Sequence, residues 1–338
     1  MNPRIMVTLG PNSLRDDVIS KIAEEPLVYL FRINLSHTPL HTLESVISAV
    51  RKCTDIPICL DSEGAQIRNQ SMKSGGSTFC ENDTIKIYFE KVAGDSHSIS
   101  FYPEHVAREL VIGDRILIDF NSVYIEVIEK YSDHCLAKVL VGGFVGSNKA
   151  VNVERRIYLP PLTDKDKQAL QIGVELDIRH FALSHANSDE DVELMRNIVG
   201  RKSTIISKIE NCNGVRNLDK IIETSDMILL DRGDLSREVR LEKIPFLQRR
   251  IVSSARSKMV PVYVATNLLE SMVVSRSPSR AEINDVVSTL LMGANGLVLA
   301  AETAIGNYPV EAVIMIRKLI NQFKRWTPNT SIEEILEE

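Results

Sequence analysis

The chain has 338 residues, of which 44% are hydrophobic and 25% are charged, so it can bury a large core and is neither disordered nor fibrous. Its 40 lysine and arginine residues are outnumbered by 45 aspartate and glutamate residues, and the resulting formal charge of −5 excludes a generally basic nucleic-acid-binding surface. The apolar runs are too short to span a membrane and the N-terminus has no signal-peptide pattern, so we expect a soluble, cytoplasmic protein.

Both ends of the sequence alternate short apolar runs with longer segments of helical periodicity, which is typical of a parallel sheet with crossover helices. The first part predicts strands at residues 5–9, 27–35 and 56–60, and helices at 16–24 and 41–53. The second part predicts strands at 179–183, 203–209, 226–230, 260–265 and 296–299, helices at 188–199, 214–223, 241–258 and 280–291, and a last helix after Tyr308. Three strands and five strands make eight, which predicts an α/β protein built on a (β/α)8 TIM barrel.

The middle of the chain, residues 68–156, shows the period-two alternation of strands, broken by Gly, Asn and Asp turns. It predicts a small antiparallel β-barrel domain inserted after the third barrel strand. We assign residues 1–64 and 158–338 to the barrel and residues 65–157 to the insertion. Because linked domains with small interfaces move by default, the insertion is expected to act as a lid.

Polar side chains lie at the end of the second predicted strand, where barrel enzymes carry their chemistry. Period-two alternation puts Arg32, Asn34 and Ser36 on one face. An arginine fork suits phosphate, and Asn and Ser oxygens suit a hard cation. The alternative is an arginine paired with a barrel carboxylate, with Asn34 and Ser36 capping the loop.

Charged side chains also end the fifth and sixth predicted strands. Lys208 and Glu210 share a face, and Asp234 follows the adjacent strand, so all three are expected at one rim. Two carboxylates there can hold Mg²⁺ or Mn²⁺, and a lysine beside the metal can stabilise an enolate. The alternative is an ion-pair network in which Lys208 only neutralises the carboxylates.

Two further strand ends offer hydrogen-bond donors. Gly233 lies where the backbone must approach something closely, and the free N–H groups there can receive a carboxylate, although such a glycine also suits a simple turn. Thr266 ends the seventh predicted strand with a hydroxyl, which also suits a helix cap.

Nine short segments, in this order along the chain, carry a family resemblance: residues 8–13 (TLGPNS), 31–37 (FRINLSH), 60–64 (LDSEG), 146–152 (GSNKAVN), 206–211 (ISKIEN), 232–235 (RGDL), 265–272 (ATNLLESM), 279–282 (SRAE) and 302–306 (ETAIG). They are similar to the signatures of the pyruvate kinase family. A run of matches is far more specific than any single motif. The resemblance covers the barrel throughout and the insertion more weakly. It implies transfer of a phosphoryl group from phosphoenolpyruvate to ADP, giving pyruvate and ATP.

The resemblance also implies roles on the side of the enol phosphate. Glu210 and Asp234 match the ligands of a divalent metal, Mg²⁺ or Mn²⁺. Lys208 matches the lysine of the transfer site, and Arg32 matches the phosphate-binding arginine. The N–H groups of Gly233 and Asp234 match donors to the substrate carboxylate. Thr266 matches a threonine associated with enolate protonation, and Ser184 is a further match on the substrate side.

For the nucleotide, the resemblance points to Arg68 and Lys149, which match phosphate-binding side chains, and to Pro11 and His37, which match positions lining the nucleotide pocket. A monovalent-cation site for K⁺ is implied by four further matches: Asn34, Ser36, Asp61 and the carbonyl of Ser62. No nucleic acid or membrane partner is expected. The sequence leaves open whether two copies of the chain form a homodimer through the barrel helices.

Departures from the family pattern lie close to these positions. Glu63 is negatively charged where the family usually has a lysine. At the position of Gln66, an acidic residue goes with K⁺ dependence in the family and a lysine with independence, so the neutral glutamine leaves the requirement for K⁺ open. His185 and Asn187 stand where the family usually has an aromatic residue and an arginine, and Asp231 replaces a small residue. Such clustering suggests an altered substrate or acceptor.

The sequence ends one helix after residues 309–313, without the regulatory C-terminal domain of the family, so we expect no control by a sugar bisphosphate. Two alternatives to the active phosphotransferase remain. One is a catalytically weak or inactive binding or regulatory protein of this type, and the other is a kinase that acts on a different 2-oxo acid.

Overall fold

The computed structural model describes residues 2–64, 66–119, 122–155 and 157–336. The chain divides into two compact units, a barrel unit formed by Met1–Gly64 with Pro161–Glu338 and an insertion unit formed by Ala65–Pro160. The second boundary lies three residues beyond the one expected from the sequence, because Ile157 and Leu159 pack against the core of the insertion. Among the described residues, no helix is long and apolar enough to cross a membrane.

The first segment of the barrel unit alternates strand and helix. Its elements are β1 (Arg4–Leu9), α1 (Asp16–Ala23), β2 (Val28–Asn34), α2 (Leu43–Cys53) and β3 (Ile58–Asp61). Each helix buries one apolar face, which explains why its hydrophobic residues recur at helical spacing.

The insertion unit consists of short strands and one helix: β4 (Ile67–Asn69), β5 (Gly76–Phe79), β6 (Thr84–Tyr88), β7 (Ser98–Tyr102), α3 (Glu104–Glu109), β8 (Arg115–Ile118), β9 (Val123–Lys130), β10 (His134–Val141), β11 (Gly143–Gly146) and β12 (Ala150–Val153). Seven described strands close into a barrel in the order β10-β6-β7-β4-β12-β8-β9, while β5 and β11 form a separate pair. Neighbouring strands of this barrel are antiparallel except β6 and β7, which run parallel. Residues 89–97 connect them by returning the chain to the end of the barrel at which β6 begins.

The second segment of the barrel unit continues the strand–helix alternation. Its elements are α4 (Asp164–Glu175), β13 (His180–Leu183), α5 (Asp189–Val199), β14 (Thr204–Ile209), α6 (Cys212–Arg216), α7 (Leu218–Thr224), β15 (Met227–Asp231), α8 (Arg232–Leu235), α9 (Ile244–Ser257), β16 (Val262–Ala265), α10 (Arg280–Leu291), β17 (Gly296–Leu299), α11 (Ala301–Ala304), α12 (Pro309–Arg325) and α13 (Ile332–Leu336).

Eight parallel strands in the described part of the chain close into a barrel in the order β1-β17-β16-β15-β14-β13-β3-β2, so the predicted (β/α)8 barrel is confirmed. Alternate side chains such as Met6, Leu30, Ile206 and Leu229 form an inner apolar cluster, and the intervening ones pack against the helices. Because all strands run parallel, their C-terminal ends meet at one rim.

Helix α4 is the principal barrel element that the sequence does not predict. It begins with a capping box in which Asp166 and Thr163 exchange hydrogen bonds. The Asp166 carboxylate is fully buried and also accepts hydrogen bonds from the backbone N–H groups of Glu63 (2.7 Å) and Gly64 (3.2 Å). One carboxylate therefore ties the end of the first barrel segment to the start of the second.

Replacing Asp166 by alanine is expected to lower the free energy of unfolding by on the order of 3 kcal/mol, because buried backbone donors lose their acceptor. Urea titration followed by circular dichroism measures the loss. The matched control is Asp164→Ala on the same helix, where an exposed carboxylate pairs with Lys167 at 3.1 Å and contributes little. Equal urea midpoints for the two variants would show that the Asp166 bonds do not stabilise the fold.

Candidate active site

Lys208 lies at the centre of a buried polar cluster at the C-terminal rim of the barrel. Its Nζ donates to Ser184 Oγ at 2.9 Å and lies 3.3 Å from Asp61 Oδ2 and 2.9 Å from Glu210 Oε1. Burial acts to lower the pKa of Lys208, but Asp61 and Glu210 outweigh it and raise the pKa above its ordinary value. The strand end therefore holds a fixed ammonium charge shielded from water.

Arg32 brings a second cation to the same carboxylate. Its Nη1 lies 3.2 Å from Asp61 Oδ2, and its Nε donates to Thr8 Oγ1 at 2.9 Å. Arg32 is 4% exposed and Asp61 is fully buried. Since Arg32 and Lys208 share one carboxylate oxygen, two positive charges lie side by side at the rim, an arrangement that suits phosphoryl oxygens.

A cluster of metal-ligating groups lies beside Lys208. The ligand atoms of His185, Glu210 and Asp234 all lie within 4.8 Å of one another. Glu210 Oε2 accepts the backbone N–H of His185 at 2.7 Å, and the buried Oε1 lies 2.9 Å from the Lys208 ammonium. Burial raises the pKa of Glu210, and Lys208 and His185 oppose that rise. Two carboxylates and an imidazole fit a divalent metal such as Mg²⁺ or Mn²⁺.

Three hydrogen-bond donors at the ends of β15 and β16 converge on one oxygen, Asp231 Oδ1. They are the N–H of Gly233 at 3.1 Å, the N–H of Asp234 at 3.4 Å and the hydroxyl of Thr266 at 2.5 Å. Burial acts to raise the pKa of Asp231, but Lys208 and the Thr266 hydroxyl outweigh it and bring the pKa below its usual value. Two of these donors, the N–H groups of Gly233 and Asp234, are the ones that the family resemblance assigns to a substrate carboxylate, and they are held here by a carboxylate of the chain itself.

The loop that carries Thr266 is held in an unusual backbone conformation. Thr266 has φ +76°, which is strained for a β-branched residue. Arg232 Nη2 donates to the Thr266 carbonyl at 2.6 Å, and Arg232 Nη1 donates to Asp285 Oδ2 at 2.6 Å. Gly233 leaves no room for a side chain, since a Cβ there would lie 2.6 Å from Thr266 Cγ2. These contacts fix the hydroxyl of Thr266 over the Asp231 carboxylate.

The residues matched to a monovalent-cation site lie together at the ends of β2 and β3, where Asn34 is the register partner of Asp61. The oxygens of Asn34, Asp61 and Ser62 accept hydrogen bonds within the protein. Asn34 Oδ1 accepts the N–H of Ser36 at 2.9 Å, and the Ser62 carbonyl accepts the hydroxyl of Ser184 at 2.7 Å. With Arg32 and Lys208 on Asp61, the site already contains two fixed cations.

The residues matched to nucleotide binding divide between the two units. Pro11 and His37 are exposed residues of the barrel unit. In the insertion, Arg68 on β4 donates to the Asn148 carbonyl at 3.0 Å, and Lys149 Nζ lies 3.3 Å from Asp119 Oδ2. Arg68 and Lys149 therefore belong to one local region of the insertion.

The site predicted by sequence does not include His185, Arg232 or Asp231, which all contribute to the rim. His185 follows β13 at the rim, and that position is the sequence signal that could have identified it as a metal ligand. In the sequence, Arg232 stands out only as part of the segment 232–235, and its contact with the Thr266 carbonyl depends on how β15 and β16 pair.

Residues 1–313 match the family model described as the barrel domain of pyruvate kinase. The chain belongs to the pyruvate kinase family. It is 32% identical to a pyruvate kinase of Mycobacterium tuberculosis over 326 residues, which cover 94% of this chain and 69% of that protein. Identity to a pyruvate kinase of Thermotoga maritima is 30%, over 95% of this chain and 71% of that protein.

A solved structure shows the same likeness in three dimensions. A pyruvate kinase from Cryptosporidium parvum matches with a TM-score of 0.84 and 29% sequence identity, covering 97% of this chain and 70% of that one. The family resemblance found in the nine sequence segments is thereby confirmed. The chain is a pyruvate kinase-like phosphotransferase.

Proposed function

We propose that the protein transfers a phosphoryl group from phosphoenolpyruvate to ADP, giving pyruvate and ATP. The observation that carries this proposal is the position of Lys208, a buried ammonium between Asp61 and Glu210 with Arg32 on the same carboxylate. Phosphoryl transfer depends on positioned cations around the transferring group more than on covalent catalysis.

On the donor side, Arg32 and Lys208 bind the phosphoryl oxygens, and Ser184 orients Lys208 through its hydrogen bond to Nζ. After transfer, Lys208 stabilises the negative charge of the enolate oxygen. Glu210 and Asp234 are proposed to hold Mg²⁺ or Mn²⁺, with His185 beside them. When bound, the metal supplies positive charge to the phosphoryl and enolate oxygens.

On the carbon side, the enolate takes up a proton to become pyruvate. A threonine hydroxyl is a poor acid at neutral pH. Thr266 is therefore proposed to orient a water molecule that delivers the proton to the enolate carbon. The N–H groups of Gly233 and Asp234 are proposed to receive the carboxylate of the substrate. These donors contact Asp231 in the structure, so the incoming carboxylate has to displace that side chain.

We assign the nucleotide to Arg68, Lys149, Pro11 and His37, and the insertion to the role of a lid that excludes water from the transferring group. Asn34, Ser36, Asp61 and Ser62 carry the oxygen ligands proposed for K⁺. The nucleotide and K⁺ assignments come from the family resemblance. A homodimer through the barrel helices remains part of the hypothesis.

The proposal is tested by measuring ATP formation from ADP with several enol phosphates, using Mg²⁺ or Mn²⁺ and either K⁺ or Na⁺. We expect turnover with phosphoenolpyruvate that requires the divalent metal. The matched control is the Lys208→Met variant purified in the same way, which distinguishes this activity from a contaminating kinase of the expression host.

Two other results would contradict this proposal and identify a different function. Faster turnover with a different enol phosphate would identify a kinase for another 2-oxo acid, a candidate favoured by the carboxylate of Asp231 in the donor site. No turnover with any donor, together with measurable binding of phosphoenolpyruvate, would identify a binding or regulatory protein.

A further inference from the structure

Asp231 occupies three hydrogen-bond donors that the proposed reaction requires. The Gly233 N–H, the Asp234 N–H and the Thr266 hydroxyl all point at Asp231 Oδ1, at 3.1, 3.4 and 2.5 Å. Each of these groups has one proton to donate. A second carboxylate therefore cannot be bound by the same three donors while Asp231 stays in place.

The position of Asp231 is fixed rather than incidental. The residue ends β15, is 8% exposed, and pairs in register with Ala265, next to Thr266. Gly233 approaches Thr266 so closely that a Cβ on Gly233 would lie 2.6 Å from the methyl carbon of Thr266, so the backbone that carries the donors is closely packed around Asp231. The positive charges of Lys208 and Arg32 act to lower the pKa of Asp231 and favour its ionised form, and the charge of Asp231 in turn acts to raise the pKa of Glu210.

From these contacts we infer that Asp231 is a specificity-determining residue that competes with the carboxylate of the substrate. This inference rests on the proposed function, in which that carboxylate binds the Gly233 and Asp234 donors. Asp231 lowers the affinity for any ligand with a carboxylate at this place, by occupying the donors and by repelling a like charge in a buried site. A ligand with an uncharged amide at the same place meets no such charge repulsion, and its N–H groups can donate to the Asp231 carboxylate, so its affinity depends less on whether Asp231 is present.

The test compares binding of pyruvate and of its uncharged amide, pyruvamide, in the presence of Mg²⁺. Isothermal titration calorimetry measures both affinities for the unaltered protein, for Asp231→Ala and for Asp231→Ser. The serine variant retains a short oxygen that can cap α8 and guards against misfolding of the alanine variant. Circular dichroism confirms that each variant is folded.

We expect pyruvate to bind at least tenfold more tightly to both variants, which corresponds to about 1.4 kcal/mol. The affinity for pyruvamide is expected to change less than threefold, so the preference between the two ligands shifts towards the carboxylate. The control is Asp219→Ala, which removes an exposed carboxylate that lies 3.4 Å from Lys258 Nζ and contacts none of the three donors, and should give no gain in pyruvate affinity.

Unchanged or weaker pyruvate binding in both Asp231 variants would overturn the inference, and so would an equal gain for pyruvate and pyruvamide. The result is independent of turnover. If the variants bind pyruvate more tightly while no form of the protein makes ATP from phosphoenolpyruvate, the competition by Asp231 stands and the proposed function fails.

Discussion

Replacing Lys208 by methionine is expected to reduce phosphoryl transfer by at least about 10³-fold, because the enolate and the transferring group lose the buried cation that stabilises them. The methionine side chain fills similar space but leaves Asp61 and Glu210 without the ammonium that lies 3.3 and 2.9 Å away. We therefore also expect a loss of stability on the order of 3 kcal/mol. Initial rates of ATP formation and urea titration measure the two effects.

The matched control is Lys165→Met, which removes another lysine of the barrel unit that is paired with a carboxylate, Glu63, at 2.7 Å. It should retain transfer. Thr266→Val provides the contrast within the site, since it should mainly slow the exchange of solvent protons into the methyl group of bound pyruvate. If Lys208→Met and Thr266→Val lost transfer and proton exchange equally, with lowered stability in both, the two residues would only hold the rim together.

A second large effect is expected from Glu210→Gln and Asp234→Asn. Each substitution keeps the approximate shape of the side chain and removes one anionic ligand, so the affinity for Mn²⁺ should fall by at least about tenfold and transfer should fall by orders of magnitude. Electron paramagnetic resonance of free Mn²⁺ measures the affinity without any need for turnover.

The comparison variant is Glu238→Gln. Glu238 follows α8, and its Oε2 accepts the Cys212 N–H at 2.9 Å. It does not belong to the cluster of His185, Glu210 and Asp234. Mn²⁺ affinity should stay the same in this variant. Should Glu210→Gln and Asp234→Asn also bind Mn²⁺ as tightly as the unaltered protein, the metal site is elsewhere.

The barrel could be predicted from the sequence because each buried parallel strand is an apolar run and each outer helix has one apolar face. Helix α4 was missed because its start depends on Asp166, whose polar side chain indicates a surface residue in the sequence but is buried against two segments of the chain. The parallel pairing of β6 and β7 likewise depends on the path of residues 89–97, which alternation within a strand does not reveal.

The candidate site could be predicted in part for a similar reason. Strand alternation and the rule for barrel rims identify Lys208, Glu210 and Asp234, because side-chain direction in a strand follows from position alone. The contact between Asp231 and Thr266 could not be predicted, since it joins two strand ends through a loop with a left-handed residue. The ligand cluster with His185 also requires knowledge of which strands are neighbours.

The hydrogen bonds of Asp166 have a consequence for how the chain accommodates its insertion. Gly64 and Thr163 both donate backbone N–H groups to the same carboxylate oxygen, at 3.2 and 2.9 Å, so the chain leaves and re-enters the barrel unit at almost the same point. The entropy of closing a loop grows only with the logarithm of its length, by about 0.6 kcal/mol per doubling. With its ends fastened in this way, the barrel can tolerate an intervening segment of almost any length between β3 and α4, which makes this junction a natural place for one domain to be nested inside another.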